Sequence, residues 1–434
     1  MESLLEGSFD GPLYPVNPYS PEILGLKAYP SIVDIPHQVD MAVIVVAAGA
    51  VPFALQDCAR KGVRAAAIIT SGFKEMGTES GSRLQEEIIA LANHAGISII
   101  GPNTIGVVSP HASLNATFLP SFKDVARGNV ALVAQSGGVC SFMLHSAIDE
   151  RLGISLATSL GNRANVDFAD ILEYLAGHEH TRAIALHIEG VEDPRRLMES
   201  ARRVVRSKPV VAYKPAGPIP DRAAYSHTGS LAGSHNAYGA AFAQAGIVAV
   251  GHTEELLDVA KALAFQPPPR GDRVAVLSLQ AGPAMIAASA CYRFGLSLAE
   301  LSPRSRERLR ELAMTPFFSD NPIDMAGAFM QTGDNHRTWL EILQLALDDE
   351  NVDVVILSAL HHRLDIPFIE MVAALAQDRR PDKPLVVSRD SPLGAARPEI
   401  ARLEESGIPV YPSPDRAVRA MAGLVRYGRL ARTD

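Results

Sequence analysis

Along most of the chain, short runs of apolar residues alternate with longer segments in which apolar residues recur every three or four positions. The short runs have the length of β-strands, and the longer segments have the period of amphipathic helices. Strands and helices that alternate in this way form parallel sheets covered by helices on both faces. The pattern therefore predicts an α/β fold of three successive doubly wound units.

The apolar runs also locate the domain boundaries. The predicted strands are 41–48, 64–72 and 97–103 in the first unit, 129–135, 154–160, 183–190, 208–214 and 246–250 in the second, and 273–279, 296–301, 352–359, 384–389 and 408–413 in the third. The linker FQPPPRGD (265–272) has three consecutive prolines, which cannot continue a helix. We therefore predict three domains, 1–123, 124–265 and 266–434.

The composition argues against several classes of partner. Forty Lys plus Arg stand against 48 Asp plus Glu, and no basic block occurs, so we expect neither nucleic acid nor an anionic membrane as a partner. No apolar run reaches about 18 residues, so we expect no membrane span. Cys58, Cys140 and Cys291 are far apart, which predicts neither disulfides nor a metal site. The start, MESLLEGSFDG, has no secretory pattern, and we expect a cytoplasmic protein.

Ligands of doubly wound sheets gather beyond the carboxyl ends of the strands. The sequence has no P-loop pattern and no GxGxxG after a strand, so we predict neither a Walker-type ATP site nor an ordinary NAD site. Three segments that follow strands of the second unit carry the candidate chemistry instead.

The first of these segments is LVAQSGGVCSF (132–142), in which an apolar strand turns at Ser136, Gly137 and Gly138 into a helical pattern. Small residues there let backbone N–H groups approach an anion, and the helix dipole adds positive potential. The alternative is a tight strand-to-helix turn without a ligand. The pattern alone leaves both interpretations open.

The other two segments place an acid and an imidazole at the same edge. Glu189 follows the strand 183–190, where it is either an exposed acid that caps a helix or a carboxylate that orients an imidazole. His227 lies in AYSHTGSLAGS (224–234), and taken alone it is either a solvated loop residue or a nucleophile. Together with the turn at Ser136, these residues suit phosphoryl transfer through phosphohistidine. A zinc site is not expected, because no ligand pair has the required spacing.

The same residues belong to motifs that run through almost the whole chain. The motifs are YPVNP (14–18), ITSGFKE (69–75), GPNTIG (101–106), AQSGG (134–138), SLGNRANVDFADILEYLA (159–176), SHTGSLAGS (226–234) and NPIDM (321–325). In these motifs and their order the chain resembles the α part of the NDP-forming acyl-CoA synthetases. The resemblance implies Rossmann-like and flavodoxin-like domains.

The resemblance also implies a reaction and a set of site residues. Acyl-CoA, phosphate and ADP would give free acid, CoA and ATP reversibly, through an acyl phosphate and a phosphohistidine. The implied residues are His227 as the phosphorylated residue, Glu189 as its partner, Ser136, Gly137 and Gly138 around the phosphate, and Asn17, Pro18, Thr70, Ser71 and Asn103 around CoA and the thioester. ADP or ATP with magnesium would bind a separate ATP-grasp β subunit, and we expect an oligomer.

Three departures from the family pattern leave a second hypothesis open. The family's first strand and its glycine-rich CoA loop would precede residue 1, Thr104 stands where many relatives have cysteine, and SLQAGP (278–283) replaces a TNAGGP-like turn. We therefore expect a first domain without its initial strand and glycine loop, and weak CoA binding by this chain alone. The alternative function is a non-catalytic CoA-binding or regulatory homologue. The sequence does not identify the acyl group.

Overall fold

The computed structural model describes residues 1–215, 235–313, 320–325, 335–359, 365–378, 382–389 and 396–432. The chain forms two compact units, Met1–Leu257 and Asp258–Asp434. Parallel strands joined by helices build the sheets of both units, which confirms the predicted α/β fold. The limits of the three domains remain a prediction.

A three-stranded parallel sheet forms the first part of the unit Met1–Leu257, with strands β3, β4 and β5 in that order. Helices α2 and α3 cross between these strands and pack against each other, as right-handed crossovers between successive neighbouring strands require. The elements of this part are α1 (Glu2–Glu6), β1 (Glu22–Ile23), β2 (Leu26–Lys27), β3 (Met41–Ile44), α2 (Val51–Lys61), β4 (Ala65–Ile68), α3 (Glu79–Ala95) and β5 (Ser98–Ile100).

A second sheet follows in the same unit, with seven strands among the described residues in the order β12-β11-β10-β8-β9-β6-β7. Its elements are β6 (Gly106–Ser109), β7 (Leu114–Thr117), β8 (Arg127–Ala134), α4 (Gly137–Asp149), β9 (Ile154–Ser159), α5 (Phe168–Gly177), β10 (Ala183–His187), α6 (Pro194–Val204), β11 (Val210–Tyr213), α7 (His235–Gln244), β12 (Val248–Val250) and α8 (Thr253–Phe265). Strands β8 to β12 are parallel and were predicted, whereas the antiparallel hairpin β6–β7 was not.

The register of the second sheet determines which residues share its carboxyl edge. His187 pairs with Ala134 on one side and with Tyr213 on the other, so β8, β10 and β11 end side by side. All of β10, the last five residues of β8 and the first three of β11 are buried, because helices cover the sheet. The next residues along the chain, Gln135 and Lys214 among them, therefore lie on one edge.

The unit Asp258–Asp434 contains the third sheet, whose strands are all parallel. The order is β14-β13-β16-β17-β18, and β15 also pairs with β13. The elements are β13 (Arg273–Ser278), α9 (Ala281–Arg293), β14 (Ser297–Leu298), α10 (Pro303–Ala313), β15 (Ile323–Asp324), α11 (Asn335–Asp348), β16 (Val354–Ser358), α12 (Ile366–Asp378), β17 (Leu385–Ser388), α13 (Arg397–Glu405), β18 (Val410–Tyr411) and α14 (Pro414–Leu430).

Candidate functional site

At the carboxyl edge of the first sheet, the turns that follow β4 and β5 are joined by a backbone hydrogen bond. The N–H group of Asn103 donates to the carbonyl oxygen of Thr70 at 2.9 Å. The Thr70 hydroxyl donates in turn to the carbonyl oxygen of Val46 at 2.7 Å. Ser71 is exposed next to Thr70. Three residues that the family resemblance assigns to CoA and the thioester, Thr70, Ser71 and Asn103, therefore lie together.

Asn17 and Pro18 belong to a different loop, which precedes the β1–β2 hairpin. The N–H group of Asn17 donates to the carbonyl oxygen of Tyr29 at 2.9 Å, and its side-chain oxygen accepts from the N–H group of Tyr19 at 2.8 Å. Pro18 is exposed. These hydrogen bonds do not reach the edge formed by the other CoA candidates, so a role for this loop in CoA binding stays a prediction.

The turn that contains Asn103 packs directly on the second sheet, against the turn that follows β9. The N–H group of Asn162 donates to the carbonyl oxygen of Pro102 at 2.9 Å. Gly161 has a φ of +53°, and a Cβ atom there would lie only 2.4 Å from the carbonyl oxygen of Asn103. Only glycine fits this close approach without a shift of the backbone. The carboxyl edges of the two sheets therefore meet within one unit.

The buried carboxylate of Glu75 strengthens this contact between the two sheets. It accepts hydrogen bonds from the N–H groups of Gly72, at 2.6 Å, and Phe73, at 3.2 Å, and from the side-chain amide of Asn162. It therefore holds the turn after β4 against the turn after β9. The sequence analysis assigned no role to Glu75, and the available signal was its place in ITSGFKE.

Helix α4 begins at the same edge with the predicted turn. The side chain of Ser136 caps the helix by accepting from the N–H group of Val139 at 3.4 Å. Gly137 and Gly138 are the first helical residues, and the N–H groups of a first helical turn have no partner within the helix. Gly138 is exposed, so a ligand can approach its backbone closely. A helix start of this kind can bind an anion, and phosphate binding by Ser136, Gly137 and Gly138 stays a prediction.

Gln135 connects this helix start to Glu189. Its side chain is 1% exposed, and its amide oxygen accepts from the N–H groups of Glu189 and Gly190, both at 3.0 Å. Its carbonyl oxygen accepts from the N–H group of Gly161 at 3.0 Å. One buried side chain thus fixes the loop of Glu189 beside Ser136. The sequence showed the position of Gln135 but gave no indication of this role.

Two further titratable residues, His187 and Lys214, lie at the ends of β10 and β11. Burial, and secondly the charge of Lys214, lowers the pKa of His187 to about 4, so its ring is neutral near neutral pH. Burial also lowers the pKa of Lys214, and the negative charge of Glu189 partly offsets this effect. Neither residue was a candidate in the sequence analysis.

His227 lies outside the described residues, as does the whole segment 216–234. The predicted contact between His227 and Glu189 therefore stays a prediction. Glu189 itself is half-buried and lies two residues after β10, at the predicted edge.

The SLQAGP segment (278–283) links β13 to α9 in the other unit. The N–H group of Gln280 donates to the Ser278 hydroxyl oxygen at 3.1 Å, whereas the Gln280 side chain makes no capping hydrogen bond. Ser358 and Ser388 end the neighbouring strands, and the Ser388 hydroxyl donates to that of Ser358 at 2.8 Å. The carboxyl edge of this sheet thus carries a row of seryl hydroxyls.

Two other features of the described residues bear on function. None of their clusters of histidine, cysteine, aspartate or glutamate has an arrangement that could hold a metal ion. In the same part of the chain, no helix combines the length and the apolar character that crossing a membrane requires.

Two models of known protein families match separate parts of the chain. A family model described as a CoA binding domain matches residues 1–110. A model described as a succinyl-CoA ligase like flavodoxin domain matches residues 127–263.

Two relatives that match almost the whole chain show to which family it belongs. The α subunit of acetate–CoA ligase (ADP-forming) II from Pyrococcus furiosus is 39% identical over 96% of this chain and 90% of its own length. The α subunit of enzyme I from the same organism is 38% identical over 99% of this chain and 92% of its own length. The chain belongs to the NDP-forming acyl-CoA synthetase family. This confirms the resemblance that the sequence motifs indicated.

A solved structure extends the likeness to the fold. The dinucleotide forming acetyl-coenzyme A synthetase 1 of Ca. Korarchaeum cryptofilum, in complex with phosphate and ADP, superposes with a TM-score of 0.87. It is 33% identical, and the match covers 99% of this chain and 91% of that chain. The α/β architecture of the described residues is therefore that of this family.

Proposed function

We propose that this chain is the catalytic α subunit of an ADP-forming acyl-CoA synthetase, which converts acyl-CoA, phosphate and ADP into free acid, CoA and ATP reversibly. The observation that carries the proposal is the meeting of two carboxyl edges in one unit. The edge with Thr70 and Asn103 contacts the turn at Gly161, which is hydrogen-bonded to Gln135 beside the start of α4. A thioester and a phosphate could therefore meet there.

The first step joins the two substrates. Asn103, Thr70 and Ser71, with Asn17 and Pro18 from the neighbouring loop, would hold CoA so that its thioester lies near the turn at Asn103. The N–H groups at Ser136, Gly137 and Gly138 would hold phosphate. A phosphate oxygen attacks the thioester carbonyl, the C–S bond breaks, and the thiolate leaves with CoA. The product is an acyl phosphate.

The second step moves the phosphoryl group to the protein. A ring nitrogen of His227 attacks the phosphorus atom, the bond from phosphorus to the acyl oxygen breaks, and the carboxylate leaves. Glu189 would accept a hydrogen bond from the other ring nitrogen, which fixes the tautomer that presents a lone pair. ADP then takes the phosphoryl group from phosphohistidine, and ATP forms.

The last transfer requires a nucleotide site that the sequence of this chain does not indicate. We infer that ADP or ATP with magnesium binds a separate ATP-grasp β subunit, because the chain has no P-loop pattern and two relatives that it matches over almost their whole length are named as α subunits. A non-catalytic CoA-binding or regulatory homologue is the second candidate, which the altered SLQAGP segment leaves open.

Reconstitution with the β subunit tests the proposal. The chain should be co-expressed with the candidate ATP-grasp subunit and supplied with acetyl-CoA, longer acyl-CoAs and aryl acyl-CoAs. We expect release of CoA and formation of ATP that require phosphate, ADP and both subunits. ATP formation by this chain alone would refute the separate β subunit. A complex that turns over none of the acyl-CoAs would favour the non-catalytic homologue.

A further inference from the structure

Lys214 carries a buried positive charge at the edge where phosphate is proposed to bind. It directly follows the buried strand β11, and only 9% of the residue is exposed. Strand β11 is mostly apolar, and moving an ammonium group out of water into such surroundings costs free energy. Such a charge lowers the stability of the fold unless a group of opposite charge pairs with it.

The partners of Lys214 in the described residues do not compensate its charge. Its Nζ atom donates one long hydrogen bond, 3.4 Å, to the carbonyl oxygen of Pro215. It lies 5.2 Å from the centre of the Tyr238 ring. An ammonium group has three donors, and among the described residues Pro215 accepts from one of them. Glu189 is close enough for its charge to raise the pKa of Lys214 but is not joined to it by a direct ion pair.

The register of the sheet places Lys214 on the same edge as the helix start. Tyr213 pairs with His187, and His187 pairs with Ala134, which precedes Gln135 and Ser136. The loop of Glu189 follows the strand between them and is held by Gln135. The ring of His187 is neutral near neutral pH, because its pKa is lowered to about 4, so it adds no positive charge to this edge.

The charges at this edge show what an ammonium group would contribute. A phosphate dianion brings two negative charges to this edge. The start of a helix supplies the equivalent of about half a positive charge, which leaves most of this charge uncompensated. The ammonium group of Lys214, on a residue that is 9% exposed, supplies one full positive charge.

We propose that Lys214 binds the phosphate, and later the phosphoryl group, at the start of α4. This inference rests on the proposed function, in which phosphate is a reactant at this edge. The ammonium group forms with the dianion the ion pair that it does not form with Glu189. Lys214 thus belongs to the phosphate site and not to the CoA site.

Two substitutions at Lys214 and one at Lys208 test the inference. Lys208 precedes β11 at its opposite end, and its ammonium group donates to the carbonyl oxygens of Leu175 and His178, both at 2.6 Å. Lys214→Met should raise the KM for phosphate roughly 10- to 100-fold, the value of a hydrogen bond to a charged group, and leave the KM for acyl-CoA unchanged. Lys214→Arg should recover most of the phosphate affinity.

The control should show the opposite pattern. Lys208→Met should lower the thermal midpoint, because two carbonyl groups lose their partner, and leave the KM for phosphate unchanged. Lys214→Met should keep or raise the thermal midpoint, because a buried charge is removed. If Lys214→Met does not fold, Lys214→Gln, which keeps a polar tip, is measured in its place with the same expected change in KM.

Calorimetry with inorganic phosphate on the isolated chain separates this inference from the proposed function. Phosphate binding that is lost in the Lys214 variants supports the inference even if the complex turns over no acyl-CoA, a result that would refute the proposed function alone. An active complex in which the Lys214 variants keep the wild-type KM for phosphate overturns the inference and leaves the function intact. A chain that neither binds phosphate nor turns over overturns both.

Discussion

At the scale of single residues, two buried side chains hold the candidate site together through hydrogen bonds to backbone N–H groups. Gln135 holds the loop of Glu189, and Glu75 holds the turn after Thr70. A buried N–H group without a partner costs free energy, so each of these side chains specifies one loop conformation. The loops that carry the candidate chemistry are therefore fixed by residues that do not themselves react.

His187 gives a prediction at this scale, because its pKa falls from 6.5 to about 4 in the folded chain. Between these values the unfolded chain binds a proton that the folded chain does not, so stability falls as the pH falls through this range. The loss is up to about 3 kcal/mol. His187→Gln cannot bind this proton, and its free energy of unfolding should fall less between about pH 7 and about pH 4.5.

Urea unfolding followed by circular dichroism measures the effect at both pH values. His94→Gln, at an exposed histidine in the last turn of α3, is the control and should keep the acid sensitivity that His187 causes. Equal losses in the His187 variant and the wild type would show that the buried ring does not set this dependence.

The sequence predicted those residues at this edge that follow a recognisable apolar strand. Ser136 and Glu189 each follow an apolar strand directly or within two residues, so the strand pattern located both. The roles of Gln135, Glu75 and Lys214 depend on which strands lie side by side. That information is in the register of the sheet and not in the local pattern.

At the scale of elements, two helices of the first unit begin with side-chain caps of the same kind. Ser136 caps α4 by accepting from Val139, and Thr78 caps α3 by accepting from Gly81 at 3.1 Å. Only the first of these helices begins at the proposed phosphate site. The pair therefore separates the structural value of a cap from its value for a ligand.

We predict that Ser136→Ala and Thr78→Ala each destabilise the first turn of their helix by about 1 kcal/mol, because each leaves an N–H group without its cap. Hydrogen exchange of the first-turn amides, read by mass spectrometry, measures this locally. Only Ser136→Ala should also raise the KM for phosphate, by several-fold. A similar increase in the Thr78 variant would indicate a general effect of stability.

Two of the strands that the sequence missed have no apolar run. Strand β7 has the sequence LNAT, and its buried Asn115 and Thr117 satisfy each other through a side-chain hydrogen bond of 2.7 Å. Strand β15 has two residues, and only its pairing with β13 defines it. Long buried strands such as β8 and β16 were predicted, because burial on both faces requires a continuous apolar run.

At the scale of the whole molecule, periodicity predicted the α/β fold, and the motifs predicted the family. Neither could show that the turn at Asn103 contacts the turn at Gly161, since 58 residues along the chain separate them. This contact brings the proposed CoA and phosphate sites into one unit. It is the physical basis for a reaction between a thioester and phosphate on this chain.

Labelling with radioactive phosphate tests the central claim most directly. The complex of both subunits is supplied with the acyl-CoA that it turns over fastest and with radioactive phosphate, but without ADP. We predict an acid-labile label on this chain that maps to His227. His227→Asn should abolish the label, and Glu189→Gln should slow its formation, because orientation is lost while the nucleophile remains. A label that persists in the His227 variant and maps to His235 or His252 would contradict the account.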